Sequence, residues 1–288
     1  HHAEKDSWFQ GQHLSMDLVV FDLDGTLLNK GSEISDFTRG TLRLLRKRGI
    51  LYTVATGRTL HTARDLLEGH GFVLPQIFKN GVVIWNPEKV AYSHKYLLTE
   101  SEIRHVLTAF MEREVSPFIF TLEKGNRHAV YHPPLRNDTE RRLATMLGQE
   151  RGLPVLPVAE LPGDARITNI SALGPSEAIE PVTTMVDAES NLVAYKGMAI
   201  EDKNLCWVDV HHSDGSKGSA VSVLKEELGA TRVLCFGDSD NDMSMFRQAD
   251  ESYAPENAKD EIKAVATAVI GHHDEDGIAR FLRNRFDL

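Results

Sequence analysis

Residues 18–26 read LVVFDLDGT, and this stretch decides the fold. Its first four residues are all apolar, which is typical of a strand covered on both faces of a sheet. The strand runs directly into Asp22 and Asp24, in a turn that contains Gly25. Ligands of doubly wound sheets bind beyond the carboxyl ends of the strands, so the stretch also indicates where a site would lie.

Strand and helix alternate on both sides of this stretch. Ser35 is a suitable N-cap for the first helix, and Gly49 is suited to end it. The predicted segments are helix 35–48, strand 50–55, a helix after Thr59, strand 76–79, helix 217–228, strand 232–236, strand 252–254, helix 258–266 and strand 268–270. Short loops between them imply right-handed crossovers and a doubly wound, mainly parallel, Rossmann-like α/β sheet.

The middle of the chain has a different pattern. Three helical stretches at 100–113, 139–150 and 177–188 are interleaved with strand-like runs and broken by prolines. This pattern predicts an inserted α+β domain with a largely antiparallel sheet. The expected division is a core at 17–96 and 211–288, with the insertion at 97–210. Residues 1–15 are interpreted as the remains of an affinity tag, because two histidines open the chain and FQG follows at 9–11.

The bulk composition excludes several kinds of partner. The 288 residues carry a formal net charge of −10, which argues against nucleic acid or an anionic membrane surface as the main partner. No apolar run reaches the length of about 20 residues that spans a bilayer. Cys206 and Cys235 lie far apart in apolar runs, so we expect two buried free thiols and a cytoplasmic protein.

Four aspartates follow predicted strands. Asp22 and Asp24 come after the first strand, and Asp238 and Asp242 come after the strand at 232–236. If these four carboxylates converge, they repel one another unless a cation lies between them. The set offers only hard oxygen ligands and no His/Cys group accompanies it, so the expected cofactor is Mg²⁺.

A phosphoryl group needs further partners, and the sequence offers them. Thr56 supplies a hydroxyl, next to backbone N–H groups at Gly57, and Lys217 supplies a positive charge at the start of a helix. Together with the aspartates, these groups fit the hydrolysis of a phosphate ester through a covalent aspartyl intermediate.

In their order along the chain, these clusters resemble the motifs of the haloacid dehalogenase superfamily of phosphatases. The matching positions are 22–26, 56–58, Lys217 and 237–242, and the resemblance covers nearly the whole chain after Met16. The long insertion is similar to the α/β caps of the Cof-type subgroup. The C-terminal runs at 256–258, 261–263 and 276–278 also resemble that subgroup.

The resemblance implies a role for each aspartate. Asp22 is the nucleophile and a metal ligand. Asp24 protonates the leaving oxygen and then activates water, and its main-chain carbonyl binds the metal. Asp238 binds Mg²⁺, and Asp242 is a ligand or a neighbour of one.

The remaining site residues concern the phosphoryl group and the substrate. The resemblance implies that Thr56 hydrogen-bonds the phosphoryl group and that Lys217 neutralises it. Substrate contacts are expected from Gly57, Arg58, Asn80, Asn241 and Asn257. Two histidine pairs, His211-His212 and His272-His273, are interpreted as exposed polar residues.

The function predicted from the sequence is Mg²⁺-dependent hydrolysis of small phosphorylated metabolites such as sugar phosphates. The expected protein is a monomer or a small homo-oligomer. A phosphosugar mutase with the same kind of cap remains an alternative, as does a regulator that only binds a phosphorylated ligand. A phospho-receiver switch fits less well, because its acceptor aspartate is not expected on the first strand.

Overall fold

The structure is a computed structural model, and it describes residues 16–199 and 204–288. The chain forms two compact units, one of 16–95 with 215–288 and the other of 96–214, as far as these residues are described. The segment 1–15, interpreted as a tag remnant, lies outside the described residues.

The strands and helices follow the predicted order closely. The strands are β1 (Asp17–Phe21), β2 (Leu51–Val54), β3 (Gln76–Phe78), β4 (Val83–Asn86), β5 (Ala91–Lys95), β6 (Phe118–Glu123), β7 (Arg127–His132), β8 (Val155–Pro157), β9 (Ile167–Pro175), β10 (Leu192–Met198), β11 (Leu205–His212), β12 (Arg232–Phe236), β13 (Glu251–Pro255) and β14 (Ala268–Ile270). The helices are α1 (Asp36–Lys47), α2 (Leu60–Leu67), α3 (Glu100–Glu112), α4 (Asp138–Thr145), α5 (Ser176–Asp187), α6 (Lys217–Leu228), α7 (Met243–Gln248), α8 (Asp260–Val265) and α9 (Gly277–Arg285).

The first unit is built on a five-stranded sheet in the order β14-β13-β12-β1-β2. All of its strand pairs are parallel. Strand β1 lies between β12 and β2, and all five of its residues are buried, which explains its continuous apolar sequence. The prediction of a doubly wound α/β fold is confirmed.

A second, smaller sheet belongs to the same unit. Strands β3, β4 and β5 are antiparallel, and a parallel bridge between Ala55 and Ile77 joins β3 to the end of β2. Strands β4 and β5 are absent from the prediction, which placed only a turn at Asn80-Gly81. The side chains of β5 alternate between exposed and half-buried. This alternation is typical of a strand at the edge of a sheet.

The second unit contains a six-stranded sheet in the order β10-β11-β9-β6-β7-β8. Its pairs are antiparallel except for the parallel pair of β7 and β8. Apolar residues of α3 and α5 pack on one face of this sheet, around Phe110, Ile170 and Val182. An α+β insertion with a largely antiparallel sheet is therefore what the chain forms between positions 96 and 214.

One histidine of this unit does not match its interpretation as an exposed residue. His211 is fully buried near the end of β11, with Nδ1 3.3 Å from the Asp209 carboxylate and its ring beside Tyr195. The polar residues around His211 give no sign in the sequence that its side chain is buried. The packing of the six-stranded sheet buries it. His212 is half-buried.

Two further expectations concern the whole chain. Cys206 and Cys235 are both buried free thiols. Among the helices of the described ranges, none combines the length and apolar character needed to cross a bilayer.

Candidate active site

Neighbouring strand ends bring Asp22 and Asp238 together. Phe21 of β1 lies in register with Phe236 of β12, and the Asp22 amide donates a 2.9 Å hydrogen bond to the Phe236 carbonyl. The segments that follow β1 and β12, which carry Asp22 and Asp238, therefore begin next to each other at the same edge of the sheet. Asp22 is buried, and its carboxylate accepts a 2.8 Å hydrogen bond from the Leu23 amide, which fixes its orientation.

Lys217 is the first residue of α6, and its side chain is entirely buried. Its Nζ lies 3.2 Å from Asp22 Oδ1 and 2.8 Å from Asp242 Oδ1. The helix can approach this closely because a glycine follows: a Cβ at Gly218 would lie 2.4 Å from the carbonyl oxygen of Ser244. Lys217 thus joins the strand that carries Asp22 to the loop that carries Asp242.

Asp242 organises the loop after β12. Its Oδ2 accepts hydrogen bonds from the backbone amides of Asp238 (2.9 Å) and Ser239 (3.1 Å), while Oδ1 faces Lys217. Both oxygens of this carboxylate are therefore used inside the protein. The loop is closed on itself in a geometry that presents Asp238 towards Asp22.

Three carboxylates form an acidic cluster around a single lysine. Asp22, Asp238 and Asp242 each offer an oxygen, and these oxygens all lie within 4.8 Å of one another. Burial, followed by the charges of Asp242 and Asp238, holds the pKa of Asp22 well above its ordinary range, although Lys217 opposes the shift. Burial and Asp242 likewise raise the pKa of Asp238. The cluster carries more negative charge than Lys217 balances.

The pKa of Lys217 is consistent with this excess of negative charge. Burial alone would lower its pKa, but the carboxylates of Asp22 and Asp242 outweigh burial and raise it. The lysine therefore stays charged. Three oxygen ligands with unbalanced negative charge suit a hard divalent cation, and Asp22 and Asp238 are the carboxylates best placed to bind one.

Asp24 does not join this cluster. Its carboxylate forms a bidentate ion pair with Arg58, with 2.7 Å from Nε to Oδ2 and 2.7 Å from Nη2 to Oδ1. Its side chain is 54 % exposed, in contrast to the buried Asp22. Of the four carboxylates predicted to converge, the structure brings three together and directs the fourth to Arg58, because the turn at Gly25 points Asp24 outwards.

The second predicted motif follows β2 and approaches the first. Thr56 is buried, and its hydroxyl oxygen accepts a 3.0 Å hydrogen bond from the Arg58 amide. Arg58 also donates to the Thr62 carbonyl at 3.3 Å. Arg58 therefore connects this loop to Asp24. Gly57, between Thr56 and Arg58, is exposed.

An amide pair borders the same loop. Asn80 has a positive φ of 57°, and its Oδ1 accepts a 2.8 Å hydrogen bond from Asn241 Nδ2. A Cβ at Gly57 would come within 3.1 Å of that oxygen. Within the described ranges, Asn241 Oδ1 is buried without a hydrogen-bond donor. These two asparagines link the turn after β3 to the loop of Asp242.

Several contacts in this region are not evident from the sequence. Thr26 donates a 3.1 Å hydrogen bond to Asp238 Oδ1. Gly81 has a φ of 99°, and a Cβ there would lie 2.1 Å from the Ser216 carbonyl, so this turn packs directly on the start of α6. The dipeptide Asn80-Gly81 predicts a turn, but it does not predict that this turn packs on the start of α6. Asn257, predicted to contact substrate, donates a 2.8 Å hydrogen bond to the Gly25 carbonyl.

Comparison with known proteins gives consistent matches along the chain. The family described as haloacid dehalogenase-like hydrolase matches residues 19–282. The 5-amino-6-(5-phospho-D-ribitylamino)uracil phosphatase YcsE of Bacillus subtilis (strain 168) is 27% identical, covering 96% of this chain and 98% of its own length. Phosphatase YwpJ of the same strain is 28% identical, covering 93% and 99%. The solved structure of phosphatase BT1666 from Bacteroides thetaiotaomicron has a TM-score of 0.80 at 20% identity, covering 97% and 98%.

Proposed function

The chain belongs to the haloacid dehalogenase-like hydrolases and is a phosphatase of that family, and from this premise we propose that it hydrolyses small phosphomonoesters with Mg²⁺ as cofactor. The observation that carries the proposal is the grouping of Asp22, Lys217 and Asp238 at the ends of neighbouring strands. A buried nucleophile, a buried cation and a set of hard oxygen ligands are what phosphoryl transfer to a carboxylate requires.

In the first step, an Asp22 oxygen forms a bond to phosphorus while the bond from phosphorus to the leaving oxygen breaks. Asp24 gives a proton to that leaving oxygen, which departs as an alcohol. The arrangement of Asp22 supports this role, because the Leu23 amide and Lys217 both hold its Oδ1 in place. The exposed position of Asp24 supports its role, since an acid for the leaving group must reach the substrate side.

In the second step, water loses a proton to Asp24 and attacks phosphorus, and the bond between Asp22 and phosphorus breaks. The products are free Asp22 and inorganic phosphate. Lys217 compensates charge on Asp22 throughout, and the Thr56 hydroxyl is proposed to bind a phosphoryl oxygen. Asn80 and Asn241, with Arg58 and Gly57, border the loop where the rest of the substrate is proposed to bind.

Asp22 and Asp238, with the main-chain carbonyl of Asp24 and with Asp242 beside them, would hold Mg²⁺. When bound, this ion offsets the charges of the carboxylates and of the phosphoryl oxygens. The pKa values of Asp22 and Asp238, raised first by burial and then by the charge of Asp242, support the assignment, because a bound cation would favour the ionised carboxylates.

The proposed substrates are phosphorylated sugars, sugar alcohols or similar metabolites. The relative YcsE, named for a compound with a phosphoribityl group, supports this class. We further propose that the inserted unit at 96–214 selects the leaving group. The two buried free cysteines support a cytoplasmic location, and the acidic net charge supports a small-molecule partner rather than nucleic acid or membrane.

A screen of phosphorylated metabolites tests the function. The expected result is release of inorganic phosphate from sugar or sugar-alcohol phosphates in the presence of Mg²⁺, with activity lost in EDTA. An isomeric phosphate product without free phosphate would identify a mutase. Tight binding of a phosphorylated ligand with no product would identify a regulator.

We expect Mg²⁺ to raise the melting temperature more at about pH 7.5 than at about pH 5. The pKa values of Asp22 and Asp238 are raised in the folded protein, so the folded state keeps protons that the unfolded chain releases above its ordinary carboxyl pKa of about 3.9. Stability without metal therefore falls as the pH rises from that value through the raised pKa values. A divalent cation favours the ionised carboxylates and reverses this loss.

Calorimetry with MgCl₂ or EDTA at both pH values measures the effect. At a concentration 100 times Kd, the stabilisation is about 2.7 kcal/mol. Asp238→Asn should abolish the shift, whereas Asp250→Asn, outside the cluster, should retain it. A melting temperature that does not change on addition of Mg²⁺ at pH 7.5 would contradict the metal assignment.

A further inference from the structure

The segment His272–Asp276 lies against the chain that follows the predicted nucleophile. His273 Nδ1 is 2.7 Å from the Leu28 carbonyl, and the Lys30 amide donates a 2.8 Å hydrogen bond to Asp274 Oδ1. Asp276 accepts a hydrogen bond from the hydroxyl of Ser35. Because a carbonyl can only accept, Nδ1 of His273 is the protonated nitrogen in this contact. The interpretation of His272 and His273 as exposed polar residues is wrong, because both are half-buried.

Asn257 extends this contact to the turn itself. Its Nδ2 donates a 2.8 Å hydrogen bond to the Gly25 carbonyl, and its Oδ1 accepts a 3.0 Å hydrogen bond from the His273 amide. Both ends of the amide are therefore used within the protein. Asn257 and His273 together hold two carbonyls of the turn, at Gly25 and at Leu28.

These carbonyls belong to the turn that sets the geometry of the acidic cluster. Gly25 has a φ of 73°, and a Cβ at this position would come within 2.3 Å of Asp238 Oδ2. Thr26 donates to the other oxygen of Asp238, and Asp22 and Asp24 precede Gly25. A small displacement of this turn therefore moves Asp24 and changes the space around Asp238.

The turn does not use these two carbonyls in its own backbone hydrogen bonds. Its internal backbone hydrogen bonds run from Leu27 to Asp22 (3.2 Å) and from Leu28 to Leu23 (3.0 Å). Neither bond uses the Gly25 or Leu28 carbonyl. Glycine can adopt several backbone conformations at this position. The contacts from Asn257 and His273 therefore add to those of Thr26 with Asp238 and of Asp24 with Arg58 in selecting one of them.

We propose that His273 and Asn257 are positioning residues, which fix the turn of Asp22 and Asp24 through its Gly25 and Leu28 carbonyls. This inference rests on the proposed function where it concerns turnover. It assigns Asn257 to the turn rather than to the substrate. It also gives His273 a part in the geometry of the catalytic turn, although 245 positions separate it from Leu28.

The test compares His273→Leu with His273→Asn in the full-length protein. Asparagine can place its Nδ2 where the imidazole Nδ1 lies and donate to the Leu28 carbonyl, whereas leucine cannot. With p-nitrophenyl phosphate, we expect kcat of His273→Leu to fall by about 10- to 100-fold with little change in KM, because misplacement of a reacting group lowers the rate rather than binding. His273→Asn should retain most of the wild-type kcat.

Two further variants separate this role from general damage. His272→Leu makes the same change one residue earlier, where the side chain accepts a hydrogen bond from the Asp274 amide and the ring lies 4.9 Å from that of His273. Among the described residues it makes no hydrogen bond to the turn, so we expect nearly wild-type kcat. Asn257→Ala removes the contact to Gly25 and should reproduce the loss of kcat. Equal losses in His272→Leu and His273→Leu would overturn the inference.

Hydrogen exchange provides a readout that does not depend on turnover. Loss of the contact should increase amide exchange in peptides covering 22–29 by about tenfold in His273→Leu and Asn257→Ala, and not in His273→Asn. Unchanged exchange in both variants would refute the inference even for an active enzyme. If the wild-type protein releases no phosphate from any ester, the proposed function fails while the exchange result still decides the positioning role.

Discussion

Replacement of Asp22 by asparagine is expected to lower turnover of an aryl phosphate by about 10⁴-fold or more, the scale on which loss of a covalent nucleophile acts. An amide oxygen carries no negative charge and forms no aspartyl phosphate. Asp242 is no substitute, because it is fully buried and both of its oxygens are used by Lys217 and two backbone amides.

The fold should survive this change. Asp22 is one of three carboxylates around one lysine, and burial, followed by the charge of Asp242, raises its pKa, so its ionised form is disfavoured in the absence of metal. In EDTA at about pH 7.5, the melting temperature of Asp22→Asn should therefore be no lower than that of the wild type. Lys217 keeps Asp242 as its partner at 2.8 Å.

Asp17→Asn is the matched control for this prediction. Asp17 begins the same strand at its opposite end and pairs with Arg232 at 2.7 Å. The control should lose some stability and keep full turnover. Undiminished Mg²⁺-dependent phosphate release by Asp22→Asn would show that another group is the nucleophile.

Lys217→Met is expected to reduce both stability and activity. Removal of one partner from a buried ion pair typically costs about 3–5 kcal/mol, because the remaining charge is left buried without compensation. Here two carboxylates, Asp22 and Asp242, lose the same cation. The free energy of unfolding from denaturant titration measures the first effect, and kcat, expected to fall by about 10³-fold, measures the second.

The corresponding control lies on the same helix. Lys225 is partly exposed and 3.6 Å from Asp250, so Lys225→Met should change the free energy of unfolding by only about 0–1 kcal/mol. Lys217→Arg should not restore activity, because a guanidinium is too large for a site in which Nζ lies between two carboxylates. A stable, active Lys217→Met protein would remove Lys217 from the proposed site.

The main strands of the fold were predictable because their sequences carry local signals. The run at 18–21 is apolar on both faces of its strand, and β12 has the same character. Aspartates follow both strands, at positions 22 and 238, and the carboxyl ends of neighbouring parallel strands meet at one edge of the sheet. Strand β3 was predicted, whereas β4 and β5 escaped prediction because both are short and β5 is largely exposed.

The sequence by itself determined the class of fold, the family resemblance and the residues that form the acidic cluster with Lys217. Only the tertiary structure decided which side chains pair within the site. Asp24 binds Arg58, Asn241 binds Asn80, and Asn257 binds the Gly25 carbonyl across 232 positions. Such pairs depend on how loops from separate strands fold over the sheet edge, and no periodicity records that. Such a hydrogen bond requires a donor and an acceptor about 3 Å apart. The separation of two residues along the sequence does not determine whether their side chains come that close.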